Sequence, residues 1–303
     1  MPVPALTLHP DGPTVSRLVF GVWRLARWGL TARELLGLVE RCLDLGLTTF
    51  DHADIYGDYT CEARFGEALA LAPAVRQRLQ LVTKCGIQLV SANRPAHTRH
   101  IYDTGRDHIL ASAEASLRLL RADTLDVLLI HRPDPLMDAD EVAEAFTALR
   151  QAGKVRHFGV SNFTPGQFEL LAARLPFPLV TNQVEISVLR LEPFLDGTLD
   201  QAQRLRCAPM AWSPLGGGRL FTSGDPQAER VRAALEDVGR ELGGAAPDQV
   251  ALAWLLRHPA RIVPVLGTGK IERVAAAVAA LDLRLTREQW FAIWTASAGA
   301  DIP

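Results

Sequence analysis

Cysteine is scarce in this 303-residue chain. Cys42, Cys61, Cys85 and Cys207 form neither a Cys-x-x-Cys pair nor any metal-ligand spacing. That excludes a disulfide-stapled scaffold and a zinc ribbon, and points to reduced thiols in a cytoplasmic protein. A secretory signal is not expected, because Pro2 and Pro4 stand where a basic and then apolar run would begin. No run of about 18 apolar residues is present to span a bilayer. Excess charge is lacking too: 32 basic and 34 acidic side chains leave a formal net charge of −2. Nucleic acid and anionic membrane are therefore not expected partners. No G-x-G-x-x-G follows the first strand-like run, where Gly21 precedes Val22-Trp23-Arg24-Leu25. Gly216-Gly217-Gly218 is no P-loop, since no Gly-Lys-Ser or Gly-Lys-Thr follows it.

What is present is alternation. Strands are predicted at Leu18–Trp23, Thr48–Ala53, Leu79–Gly86, Leu125–His131, His157–Asn162, Val180–Ile186, Pro209–Ser213 and Ile262–Leu266. Helix-like stretches separate them, among them Thr31–Gly46, Asp107–Arg121, Asp138–Ala152 and Lys270–Leu281. In the first, Leu35, Leu38, Val39 and Cys42 fall at 3.6-residue spacing, with Thr31 and Glu34 set as a capping box and Gly46 as the C-cap. Gly153 closes the third. Eight strands alternating with about eight helices is the count of an α/β (β/α)8 TIM barrel, and no linker rich in Pro, Gly or Ser divides 1–303 into two domains. Leu6–Leu8 and Val15–Leu18, joined by Asp11-Gly12, form a small hairpin that plugs the barrel bottom in this reading. About twenty residues between Gly86 and Asp107 lack helical or strand periodicity. On the catalytic face of a barrel, such a length reads as a lid or binding loop. Its histidines His97 and His100, with His108 just beyond, have no cysteine or carboxylate frame, so no metal is expected there.

Asp51, Lys84 and His131 each end an apolar strand run, and Tyr56 lies just beyond the run that Asp51 ends. A buried strand tolerates an ionisable residue at its end when that residue has a partner or a task. Asp51 shares strand parity with Thr49, Lys84 with Val82, and His131 with Val127 and Leu129, so all three are expected to face the barrel interior at its top. His52, on the opposite parity, reads as a core histidine satisfied by a backbone carbonyl, and Cys85 as buried packing. An aspartate beside a buried lysine keeps the ammonium charged. That charge is expected to lower the Tyr56 phenol from roughly 10 towards the working pH. A phenol so placed can give a proton to a developing alkoxide, with a histidine orienting the same oxygen.

The chain resembles the aldo-keto reductase family at these residues. The match runs from Asp51-His52-Ala53-Asp54-Ile55-Tyr56-Gly57 and Thr83-Lys84-Cys85 to Leu125-Asp126 and His131-Arg132-Pro133-Asp134. It continues through Gly159-Val160-Ser161-Asn162-Phe163, Asn182-Gln183-Val184-Glu185, Trp212-Ser213-Pro214-Leu215-Gly216 and Gly267-Thr268-Gly269-Lys270-Ile271-Glu272-Arg273. It thus spans nearly the whole chain, and the ending is similar to that of a bacterial branch of NADPH-dependent oxidoreductases. The resemblance implies reduction of aldehydes or ketones with NADPH, NADH being the alternative cofactor. It implies Tyr56 as proton donor, Lys84 and Asp51 as its tuning pair, and His131 as the group that orients the carbonyl. Ser161, Asn162 and Gln183 would hold the nicotinamide carboxamide, and Trp212 would stack on the ring. Ser213, Leu215 and Gly216 would line the pyrophosphate; Gly267, Thr268, Gly269, Lys270 and Arg273 would form the adenosine phosphate end. Trp23 is expected in the pocket, and Trp28 is open between pocket and packing. Two departures from the commoner family pattern stand out. Gly267-Thr268 replaces a Lys-Ser pair, which Lys270 would offset, and Ala276-Ala277 replaces a Glu-Asn pair that would bind adenine. The segment after Gly216 is short, which speaks against a long loop folding over the cofactor. The partner expected is a small-molecule carbonyl, and the protein a monomer or weak homo-oligomer. Three rivals stay open. One is a metal-dependent barrel hydrolase using Asp51, His52, Asp54 and His131. Another is a Schiff-base aldolase using Lys84, and the third a cofactor-binding regulatory subunit with little turnover.

Overall fold

A computed structural model describes residues 2–301. Eight parallel strands close into a barrel: β3 (Val19–Gly21), β4 (Thr49–Asp51), β5 (Gln80–Cys85), β8 (Leu125–Ile130), β9 (Val155–Ser161), β10 (Leu179–Glu185), β11 (Met210–Trp212) and β12 (Val263–Leu266). They follow one another around the barrel in chain order, and β12 pairs with β3 to close it. Each of the eight expected strands is found, shorter by one or two residues at most ends, as expected where pairing gives way to loops, while β9 and β10 begin two and one residues earlier.

The first two strands, β1 (Ala5–Thr7) and β2 (Thr14–Ser16), form the expected antiparallel hairpin, with Leu6 opposite Val15. Leu8 and Val15 are buried in the same cluster as Val19, Val82, Val127, Leu129, Val180, Met210 and Val263. The hairpin therefore seals the barrel floor. The same cluster settles the parity argument: Val82, Val127 and Leu129 face inward, and with them the residues two further along at the strand ends.

Helix Ala32–Asp44 carries the expected capping box between Thr31 and Glu34. Its C-cap is Leu45 rather than Gly46. Gly46 stands one position beyond at φ +88°, where its missing Cβ lets the chain reverse and Leu47 N–H donate to the Cys42 carbonyl at 2.9 Å. Helix Ala139–Gln151 ends in the same way at Gly153. The long connection after β5 has more order than its sequence pattern implies. Two-residue strands β6 (Ile87–Gln88) and β7 (Ile101–Tyr102) pair antiparallel at its base, and strands that short carry no readable periodicity. Two long helices stand outside the simple alternation, Pro226–Glu241 and Arg287–Ala298. They pack beside Pro247–Leu256, where Trp254 and Trp290 stack with ring centroids 4.7 Å apart. Among the described residues, no helix is long and apolar enough to cross a membrane.

Candidate active site

A cleft of about 830 Å³ opens at the C-terminal ends of the barrel strands. At one end lie Asp51, Tyr56 and His131; Thr268, Arg273 and Ala277 lie at the other. Lys84 sits just beneath the first end, 1% exposed, and Asp51 is 2% exposed. Lys84 Nζ donates to both Asp51 carboxylate oxygens at 2.7 and 2.8 Å, to the His52 carbonyl at 2.7 Å and to Tyr56 Oη at 3.1 Å. Three N–H groups serve four acceptors, so the ammonium is fully engaged. Gln183 reaches across the barrel and donates from Nε2 to Asp51 Oδ1 at 2.8 Å. The His131 ring meets the Tyr56 ring edge-on, centroids 5.8 Å apart.

The electrostatics follow from burial and Lys84. Burial works to lower the Lys84 pKa, but Asp51 and Tyr56 outweigh it and hold the ammonium above its ordinary value. Burial, reinforced by Lys84 and Arg132, holds His131 well below the usual histidine range, so the imidazole is neutral. Tyr56 departs from the sequence expectation. Burial raises its phenol more than Lys84 lowers it, and Asp51 adds to the rise, so the phenol sits above rather than below its usual value. Strand parity finds the neighbouring cation but does not weigh the lost hydration.

His52 also differs from expectation. It faces outward from the barrel as parity requires, its ring edge 4.5 Å (centroid to centroid) from Phe65, but both ring nitrogens are buried without a hydrogen-bond partner. Its Nδ1 and Nε2 meet packed side chains rather than a carbonyl, and burial, then Lys84 and Arg76, depress its pKa to about 3.

Beside this group, β9 and β11 are each followed by a residue with left-handed backbone, Asn162 at φ +62° and Ser213 at φ +50°. Asn162 Nδ2 donates to the His131 carbonyl at 3.2 Å and to Ser161 Oγ at 2.8 Å, and its Oδ1 accepts from Trp212 Nε1 at 2.9 Å. The indole plane is thereby fixed to the strand end below it. Ser161, Gln183, Trp212, Ser213, Leu215 and Trp23 line the cleft, and so do Gly267, Thr268 and Arg273. Gly216 is buried behind it, while Gly217 and Gly218 face it. Gly269 instead packs under Trp28: a Cβ there would come within 2.6 Å of the indole. Trp28 is thus a packing residue against Phe20. Lys270 is exposed and outside the lining, at the N-cap of helix Ile271–Ala279.

Several lining residues fall outside the set expected from the sequence. Arg24 donates to the Gly217 carbonyl at 2.8 Å, joining the first and seventh strand-end loops. Arg132 lies over the Trp212 ring at 5.5 Å, and its place directly after His131 was a clue. Phe221, Asp248 and Leu252 reach the cleft from helices whose tertiary placement the sequence pattern does not reveal. Among the described residues, no three His, Cys, Asp or Glu side chains are grouped to hold a metal ion. His97 Nδ1 is instead 3.1 Å from the Leu89 carbonyl and 3.4 Å from Tyr59 Oη.

The family model of the aldo/keto reductase family matches residues 17–297. The chain belongs to the aldo/keto reductase family. It is 57% identical to the oxidoreductase YdhF of Escherichia coli over 99% of this chain and 100% of that one. It is 57% identical to the uncharacterized oxidoreductase YcsN of Bacillus subtilis over 95% and 96%. A 6-dehydroglucose reductase of Agrobacterium fabrum is 46% identical over 96% and 97%. Among solved structures, an aldo/keto reductase from Klebsiella pneumoniae in complex with NADP and acetate superposes with TM-score 0.77 at 26% identity, over 94% of this chain and 92% of that one. A thermostable aldo-keto reductase bound to epalrestat gives 0.82 at 26% identity, over 97% and 99%. These relationships support an enzyme and carbonyl reduction in general, and NADP(H) use in the family.

Proposed function

We propose that this protein reduces aldehydes or ketones to alcohols with NADPH, Tyr56 acting as proton donor. The observation that carries this reading is the buried contact of Lys84 Nζ with both Asp51 and Tyr56 Oη at the inner end of the cleft. A phenol raised by burial stays protonated at neutral pH, as a donor must. Giving that proton to the carbonyl oxygen leaves a phenolate, and the ammonium 3.1 Å away is placed to stabilise it. A neutral His131 can donate a hydrogen bond to the same oxygen without competing to protonate it.

The donor set suits a nicotinamide dinucleotide. Asn162 and Gln183 offer amide oxygens for the carboxamide, Trp212 a fixed aromatic face, and Gly217 and Gly218 backbone close to the cleft. A Cβ at Gly267 or Gly218 would meet nothing within 4 Å, so the backbone there is open to a ligand. NADPH, when bound, supplies the hydride to the carbonyl carbon. Thr268 and Arg273 would hold its 2′-phosphate. Lys270 contributes charge from outside the cleft rather than a lining contact.

The substrate class we favour is a sugar-derived aldehyde. A relative 46% identical is named for 6-dehydroglucose, and Trp23, 55% exposed at the cleft, offers a broad flat face. NADPH oxidation against aldehydes, ketones, quinones and sugar aldehydes, with NADH as comparison, tests the reading. Turnover with NADPH on at least one carbonyl is the expected result. Tight NADPH binding with no turnover on any of them would replace the reductase with a regulatory subunit.

A further inference from the structure

A dinucleotide whose nicotinamide lies beside Tyr56 and Trp212 must put its second base at the far end of the cleft. On that end Ala276 and Ala277 offer no side-chain hydrogen-bonding group. The first turn of helix Pro247–Leu256 abuts this spot, because Gln249 Nε2 donates to the Ala276 carbonyl at 3.3 Å. Gln249 is spent there and on capping the Ala246 N–H at 2.9 Å. Its neighbour Asp248 is half-buried, lines the cleft, and takes no part in the ion pairs among the described residues. Leu252, one turn further along, and Ala277 give the same end an apolar wall.

We infer that Asp248 is the adenine-recognising residue of this chain, its carboxylate accepting a hydrogen bond from the exocyclic amine of the base. The assignment rests on the reductase reading, since it needs a dinucleotide in the cleft. A carboxylate only accepts, and adenine presents a donor at its 6-position. Hypoxanthine carries a carbonyl oxygen at the same position and would leave the carboxylate unpaired. Ligand-facing polar groups discriminate in this way because the wrong partner leaves them desolvated and unbonded. Asp248 also carries the charge opposite to Arg273 at this end, so base and phosphate would be sorted by charge.

The test is the dissociation constant of three dinucleotides, NADPH, its hypoxanthine analogue deamino-NADPH, and NADH, read by quenching of tryptophan fluorescence. Wild type should bind deamino-NADPH about tenfold more weakly than NADPH. Asp248→Ala should weaken NADPH and leave deamino-NADPH nearly unchanged, bringing the ratio close to one. Asp248→Asn, whose amide both donates and accepts, should also narrow it while keeping the helix start intact. An unchanged adenine-to-hypoxanthine ratio in Asp248→Ala overturns the assignment. So does a change confined to the NADPH-to-NADH ratio, which would place the carboxylate at the ribose. Binding without discrimination in the wild type overturns this assignment alone. Failure of all three dinucleotides to bind overturns the reductase reading with it.

Discussion

The two ends of the cleft are built on different principles. At the Tyr56 end, Asp51, Lys84 and Gln183 sit on barrel strands, are almost wholly buried, and are tied to one another by hydrogen bonds of 2.7 to 2.8 Å. At the Arg273 end, Thr268, Arg273 and Asp248 sit on a loop and the first turns of helices, partly or fully exposed. Strands hold a side chain to within tenths of an ångström, as proton transfer requires. Loops and helix starts tolerate exchange, as recognition of one phosphate or one base allows. On the proposed reading, the chemistry is held by many bonds and the cofactor preference by a few replaceable side chains.

Lys84→Met tests the tied end hardest. It leaves Asp51 buried without its counter-charge, which should cost about 3–5 kcal/mol of stability by urea unfolding. It should also lower turnover by more than about a hundredfold, since the phenolate loses its ammonium. Retention of both stability and activity would show that the ion pair is neither structural nor catalytic. Arg273→Ala addresses the open end. NADPH should bind about tenfold more weakly and NADH nearly as before, with the fold unaffected, as direct titration of each cofactor would show. Equal loss for both would move the phosphate site elsewhere.

The outward side of the tied end carries a liability of its own. His52 is held neutral with a folded pKa of about 3, against an ordinary value of 6.5. The stability tied to that neutral form is complete above pH 6.5 and drains away as pH falls towards 3, with about 2 kcal/mol gone by pH 5. His52→Leu should flatten this acid limb. Glu62 runs the other way: burial raises it from 4.5 to about 6, so it favours the fold below pH 4.5 and loses that contribution as pH rises to 6. Unfolding measured from pH 4 to 7 in His52→Leu should then show slightly greater stability at the acid end. An acid limb as steep as the wild type's would exclude His52 as its source. The smallest effect is expected for Trp212→Phe, which keeps an aromatic face but removes the 2.9 Å bond to Asn162. About 1 kcal/mol, or a few-fold in cofactor dissociation constant, should be lost.

The same division governs what the sequence reveals. Strand parity places Asp51, Lys84 and His131 because a period of two leaves only two faces, and Val82, Val127 and Leu129 declare which is inward. Capping chemistry places the start of helix Ala32–Asp44 through Thr31 and Glu34. Parity cannot weigh desolvation against Lys84, so it misjudges the Tyr56 phenol, and it cannot see that His52 finds no partner among packed neighbours. Asp248 and Leu252 are invisible for a further reason. Which helix start faces the last strand-end loop depends on packing between elements far apart in the chain, here marked by Gln249 bonding to Ala276.

The most direct test of the account is Tyr56→Phe, with single-turnover NADPH oxidation and NADPH dissociation constant measured on the same preparation. The account predicts hydride-coupled turnover slower by about 10²- to 10⁴-fold with the dissociation constant nearly unchanged. Turnover equal to the wild type's would contradict it.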